Sequence, residues 1–202
     1  MYMYIVGFTG SHCTGKTTTA RLAKTELENR GYKVLLIQEV VRKLNKHELG
    51  TISAQLTIHK LMAEELAKAR NSNYDIVLTD RTPLDVAYYT LYYAIKNSWS
   101  ARALELAKRL IESSIAITVS FYDLLIFMDG LEVIPIEDDG FRLTDEHSRI
   151  CIDIIAKLMI RLLPNHMKVV YIKPNRPAEE VAAEVANIIE RMLEKHNGYQ
   201  SF

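Results

Sequence analysis

Five short apolar runs recur along the chain, each separated from the next by stretches whose apolar positions fall three or four residues apart. Tyr4–Thr9 is the first run. It is continuous and not alternating, which suits a strand buried on both faces. Lys33–Gln38, Tyr74–Thr79, Asp123–Met128 and Met167–Ile172 repeat the pattern. The intervals are helical. Lys16–Arg30 carries Ala20, Ala23 and Leu27 and stops at Gly31, a glycine just past the C-cap. Ser53–Arg70 is rich in Leu, Ala, Glu and Lys and ends at Asn71-Ser72-Asn73. Pro83 opens a third helix, to about Asn97, since its missing N–H costs nothing in a first turn. Ser100 is the predicted N-cap of a fourth that ends near Ser114, Thr144 begins the capping sequence of a fifth through Leu163, and a sixth runs from Pro177 to Lys195. Strands separated by helices require crossover connections, hence a parallel sheet covered on both faces. The pattern predicts one three-layer α/β domain over residues 1–202.

Composition narrows this. A chain of 202 residues suits one domain, and 49% hydrophobic with 25% charged residues excludes wholesale disorder. Twenty-five Lys+Arg balance 25 Asp+Glu, which argues against a duplex phosphate backbone or an anionic membrane as the main partner. Cys13 and Cys151 are too few and too far apart for a disulfide framework and form no C-x-x-C pair, so a reduced, cytoplasmic protein is expected. Met1–Phe8 has no basic flank, and Ile115–Met128 contains Asp123 and is short for a membrane span.

The chemistry begins after the first strand. Gly10-Ser11-His12-Cys13-Thr14-Gly15-Lys16-Thr17 fits G-x-x-x-x-G-K-[ST] between a strand and a helix. Glycines let backbone N–H groups turn inward around phosphate oxygens, and the helix N-terminus adds partial positive charge. Lys16 is expected on the β- and γ-phosphates of ATP, the Thr17 hydroxyl on Mg²⁺, and Thr18 completes the nucleotide-contacting set. The middle of this loop is permissive, so neither a redox role for Cys13 nor a catalytic one for His12 is assigned.

Beyond the loop, Glu39-Val40-Val41-Arg42 follows the second strand, and Thr79-Asp80-Arg81-Thr82-Pro83-Leu84-Asp85 follows the third. Asp139-Gly140-Phe141-Arg142 comes after the fourth, then a helix carrying Arg149. This order resembles the P-loop kinase branch that holds nicotinamide riboside kinase domains, deoxynucleoside kinases and thymidylate kinases, and is most similar to the subgroup with D-R-[ST]-P-L-D after the third strand. The resemblance implies a five-stranded parallel sheet in the order 2-3-1-4-5, a small helical lid at about 130–150 and phosphoryl transfer from ATP-Mg²⁺. Independently, ligands of doubly wound sheets collect at the carboxyl ends of strands, where Glu39, Asp80 and Arg81 fall. Glu39 is the expected base for an acceptor hydroxyl, a solvated or capping carboxylate being the plain alternative. Asp80 is expected to hold Mg²⁺ through water, with a role as base second. Arg42 and Arg81 suit bidentate contact with the acceptor or its phosphate.

The resemblance also places Arg142 and Arg149 in the lid, where they would offset charge on the transferred phosphoryl group; a surface pair with Glu146 is the other reading of Arg149. It puts Gln55 where related kinases read a base, though a solvated helix face fits equally, and Asn175 and Arg176 in the loop that cradles adenine. Tyr88, Tyr89, Tyr92 and Tyr93 form two stripes on one helix, suited to ring stacking, packing or a homodimer seam. Asp129 reads as the first residue of a loop.

The leading functional reading is therefore an ATP-dependent kinase acting on a small nucleoside, nucleotide or related ribosyl acceptor. A polynucleotide end kinase would need a basic channel, against which acidic Glu137-Asp138-Asp139 speaks. A nucleotide switch would carry a guanine-reading N-K-x-D, which Asn45-Lys46-His47-Glu48 fails. An accessory ring ATPase would call for a second helical domain.

Overall fold

Tyr4, Val6 and Phe8 of the central strand pack into one apolar core, and Ile5 packs into another on the opposite side. This two-sidedness is why the strand needs no polar face. The computed structural model describes residues 3–44, 49–133 and 145–199, except the side chains of Arg42, Lys43 and 195–199. Its strands are β1 (Tyr4–Thr9), β2 (Val34–Ile37), β3 (Ile76–Asp80), β4 (Leu124–Met128) and β5 (Lys168–Ile172). They form one sheet in the order β2-β3-β1-β4-β5, parallel at every pairing. The predicted order holds.

Among the described residues five α-helices lie in the crossovers, α1 (Lys16–Asn29), α2 (Ile52–Arg70), α3 (Pro83–Lys96), α4 (Ala101–Phe121) and α5 (Glu146–Arg161), and α6 (Ala178–Tyr199) follows the last strand. Ala20, Ala23 and Leu27 of α1 and Val181, Val185 and Ile189 of α6 cover one face of the sheet. On the other face lie Leu66 of α2, Leu84, Ala87 and Tyr88 of α3, and Ile152, Ala156 and Ile160 of α5. A third, smaller cluster joins Val40, Ile58, Met62, Val86 and Leu110. It includes the short 3-10 turn Val40–Lys43 after β2.

Several boundaries differ from the sequence reading; the sixth helix, for one, runs on from Lys195 to Tyr199. The fourth helix continues past Ser114 to Phe121. Ser114 is buried against α2, its hydroxyl 3.1 Å from His59 Nδ1, and the Thr118 hydroxyl donates to the Ser114 carbonyl at 2.8 Å. These serines and threonines are contact residues and not a stop signal. The apolar run from Ile115 is thus shared between a helix and β4. The fifth helix is capped by Asp145, whose Oδ1 accepts from Ser148 N at 2.7 Å; Thr144 lies outside the described residues. Among the described residues no helix is long and apolar enough to cross a membrane.

One close approach ties the sheet to the functional end of the molecule. A Cβ on Gly7 of β1 would lie 2.3 Å from Thr82 Cγ2 and 2.7 Å from Tyr122 Cε1. Thr82 is the N-cap of α3, so the bare backbone at position 7 sets how near that helix start can sit. Gly7→Ala is expected to lower unfolding free energy by about 1–3 kcal/mol, the usual cost of overpacking. Chemical denaturation measures this, and a loss within a few tenths would contradict the packing described.

Candidate functional site

The loop between β1 and α1 is shaped by what each of its carbonyls must find. Gly10 has φ 129° and a Cβ there would meet the Met128 carbonyl at 2.9 Å, so only glycine fits. Lys16 Nζ donates to the carbonyls of Gly10 at 2.7 Å and of Ser11, and lies 3.3 Å from Thr14 Oγ1. Thr14 Oγ1 in turn donates to Ser11 O at 2.9 Å. Burial, and then the Arg81 charge nearby, lower the Lys16 ammonium to about 8.

Cys13 stands at φ 52°, a left-handed conformation that non-glycine residues rarely adopt. Its carbonyl accepts from Arg149 Nη2 at 2.9 Å, and the same nitrogen donates to Gly130 O at 3.0 Å. Arg149 is buried. The alternative reading of a surface pair with Glu146 is set aside by this: α5 delivers the guanidinium inward, where it braces the phosphate loop against the turn after β4. Arg142 lies outside the described residues, as does the side chain of Arg42.

At the end of β3, Asp80 is buried and hydrogen-bonded by the Thr17 hydroxyl of α1. Burial raises its pKa; the Thr17 bond and Arg81 oppose that only in part. One carboxylate and one hydroxyl beside a phosphate loop form the sparse oxygen set by which Mg²⁺ is held when phosphates and water fill the remaining positions. The residues present therefore fit the expected metal. The next residue, Arg81, sits at φ 86° and passes its N–H back to Phe8 O at 3.1 Å. Its Nε donates to Glu39 Oε1, and its Nη1 lies 3.5 Å from Asp85 Oδ1. Burial works against this guanidinium's charge, but Glu39 and then Tyr89 and Asp85 outweigh it and hold the pKa well above the usual value. The Glu39 side chain is 7% exposed, so the solvated-carboxylate alternative is set aside.

Two clefts meet at this pair. The first, about 1140 Å³ with its open mouth, is walled by the loop, Thr17, Thr18, Asp80 and Arg176. Arg176, also paired with Glu184, lies on it as expected, whereas Asn175 is exposed and outside its lining. The second, about 710 Å³ with its open mouth, is lined by Val40, Ile58, Met62 and Val86, with Gln55, Tyr89 and Tyr93 among its polar groups. Glu39 and Arg81 belong to both. Gln55 is 3% exposed and donates through Nε2 to Leu49 O at 2.7 Å, so it faces inward and not solvent.

The tyrosine helix follows the packing reading. Tyr88, Tyr92 and Tyr93 are buried within the chain, and Tyr92 shares a hydrogen bond with Ser148 Oγ. They are not a free seam for a second copy. Tyr89 and Tyr93 line the second cleft, and the Tyr89 hydroxyl is 3.2 Å from His12 Nδ1. Asp129 opens its loop as expected, paired with Lys157 at 2.9 Å.

Sequence reasoning took Tyr88 only as one of the stripe tyrosines and Asp85 only as the end of a motif. Asp85 Oδ2 accepts from Thr82 N at 3.0 Å and Thr82 Oγ1 at 2.8 Å, the reciprocal contact of a capping box. Tyr88, one turn further on, places its hydroxyl 2.6 Å from Asp85 Oδ1 and 2.8 Å from Gly10 O. The Thr82-x-x-Asp85 spacing behind Pro83 was the available signal, and Tyr88 at i+3 shares its face.

Among solved structures, deoxyadenosine kinase from M. mycoides, described with products dCMP and a flexible dCDP bound, matches with a TM-score of 0.65 at 10% identity. The match covers 93% of this chain and 99% of that one. At that identity the likeness is one of fold, and it makes this a P-loop kinase-like fold. No curated protein matches the chain. The family model described as AAA domain matches residues 5–180. Since that span reaches from the first strand into the last helix and contains the phosphate loop and both clefts' shared pair, the chain belongs to the AAA domain family.

Proposed function

We propose that the protein is a kinase that transfers the γ-phosphoryl group of ATP to a small nucleoside, nucleotide or related ribosyl acceptor. The observation that carries this is the second cleft. An ATPase that only hydrolyses needs the phosphate loop and water, but here a mainly apolar, ring-sized cleft opens onto the same Glu39–Arg81 pair that borders the loop. Its apolar lining also supports a small acceptor over a polynucleotide, whose phosphates need a basic track. The solved structure most useful for comparison is named a deoxyadenosine kinase.

The residues divide the work. Lys16 and the N-terminus of α1 stabilise charge on the phosphates. Thr17 and Asp80 would hold Mg²⁺, which when bound would neutralise phosphate charge. Glu39 takes the proton of the acceptor hydroxyl, and Arg81 fixes the Glu39 carboxylate toward the second cleft. Gln55, Tyr89 and Tyr93 orient the acceptor, and Arg176 borders the nucleotide. The chain would act in the cytoplasm, where ATP and reduced thiols are found together.

A panel of nucleosides and nucleoside monophosphates incubated with ATP and Mg²⁺ tests the reading. ADP release should depend on one acceptor class and fall at least about a hundredfold in Lys16→Ala. Hydrolysis that no acceptor accelerates would assign the protein instead to the accessory ATPases. Glu39→Gln should lower turnover by about 10²-fold or more while nucleotide affinity changes little, as read by single-turnover kinetics and calorimetry. The pH dependence has a definite sign. Lys16 is lowered to about 8 in the protein alone, and anionic phosphates need its charged form. Affinity for a non-hydrolysable ATP analogue should be level near pH 7 and weaken above pH 8, approaching about tenfold per pH unit. Lys16→Arg, which does not titrate there, should give a flat profile.

A further inference from the structure

The Tyr88 hydroxyl has one proton and two acceptors within reach. Asp85 Oδ1 is 2.6 Å away and Gly10 O is 2.8 Å away, while the Gly10 N–H donates to the same tyrosine oxygen at 3.3 Å. Each acceptor is shared with a cation. Gly10 O also receives Lys16 Nζ at 2.7 Å, and Asp85 Oδ1 faces Arg81 Nη1 at 3.5 Å, too far for a full hydrogen bond. Asp85 Oδ2 is already occupied by Thr82. With the ammonium on the Gly10 carbonyl, the tyrosine proton belongs to the nearer, charged acceptor, Asp85.

We propose that Tyr88 is a positioning residue that relays occupancy of the phosphate loop to Arg81 and Glu39. The relay rests on the reading of the loop as an ATP site. When Lys16 leaves the Gly10 carbonyl for phosphate oxygens, that buried carbonyl loses its donor, which is costly unless it is replaced. The Tyr88 proton turns to it. Asp85 Oδ1 then lacks a donor, and the Arg81 guanidinium, 3.5 Å away, closes on it. That movement relaxes Arg81's hold on Glu39 Oε1 and presents the carboxylate to an acceptor hydroxyl in the second cleft. No covalent bond changes; one hydroxyl proton and one ammonium exchange partners. The tyrosine stays protonated throughout, because burial and then the Asp85 charge push its pKa well up. Tyr88 is fully buried and touches neither reactant, so its part is to make a base competent only when the donor nucleotide is in place.

The relay is read without any acceptor. The Arg81 side-chain Nε–H resonance, assigned with Arg81→Lys, is followed in a ¹H–¹⁵N spectrum during titration with a non-hydrolysable ATP analogue and Mg²⁺, while calorimetry records binding. In the wild type the resonance should move with saturation. In Tyr88→Phe the analogue should still bind, within about fivefold of wild-type affinity, and the Arg81 resonance should stay where it was. Binding with an unmoved resonance in the wild type, or equal movement in both proteins, overturns the relay and leaves the kinase reading standing. Failure of the analogue to bind the wild type overturns both. Should Tyr88→Phe fail to fold by circular dichroism, Asp85→Asn serves: it keeps an acceptor for the tyrosine but removes the charge that draws Arg81, and the same loss of movement is expected.

Discussion

A loop that turns its N–H groups toward an anion must turn carbonyls away from it, and those carbonyls are buried. The rest of this structure is arranged around that constraint. Gly10 O is met by Lys16 and Tyr88, Ser11 O by Lys16 and Thr14, and Cys13 O by Arg149. Apart from Thr14 of the loop itself, the donors come from α1, α3 and α5, so elements from three separate crossovers are pinned to one turn of chain. Each bond contributes about a kilocalorie per mole net, but leaving any of these acceptors unmet would cost more than that.

The same logic explains the left-handed residues. Cys13 and Arg81 both hold positive φ, a conformation that persists only where surroundings over-determine it. Arg149 supplies that for Cys13. For Arg81 it is the backbone bond to Phe8 together with two carboxylates and the Tyr89 ring, whose centroid is 5.4 Å from the guanidinium carbon. Zero net charge over the whole chain is compatible with a charged centre in which Arg81 is paired with Glu39 and Asp85, while Lys16 and Arg149 are held by backbone carbonyls.

The sheet and the phosphate loop were legible because each rests on local rules. A continuous apolar run has few places to go except a strand buried on both sides, and the loop is a contiguous motif whose glycines have backbone reasons. Glu39, Asp80 and Arg81 were legible from where strands end. What contiguous sequence does not carry is direction. Arg149 could be placed on a helix, but its inward course depends on how α5 packs against the loop, 136 positions away in the chain. Four tyrosines at helical spacing left stacking, packing and a seam all open; three are buried because α3 is flanked by other helices on the sheet face, a packing decision made by α4 and α5. The over-long fourth helix has the same origin, since Ser114 serves a contact with α2 that only the tertiary structure creates.

Among the described residues the two clefts share Glu39 and Arg81. The walls of one come from the β1–α1 loop, the first turn of α1 and the start of α6, and those of the other mostly from α2, α3 and the turn after β2, with His12 of the β1–α1 loop among them. Val40, Ile58, Met62 and Val86 can therefore change size and shape without disturbing any group that faces phosphate. Under the kinase reading proposed above, such a division lets mutation explore new acceptors one side chain at a time while the energetics of nucleotide handling are inherited intact. A fold so partitioned is predisposed to diversify in what it acts on while remaining conservative in what it spends.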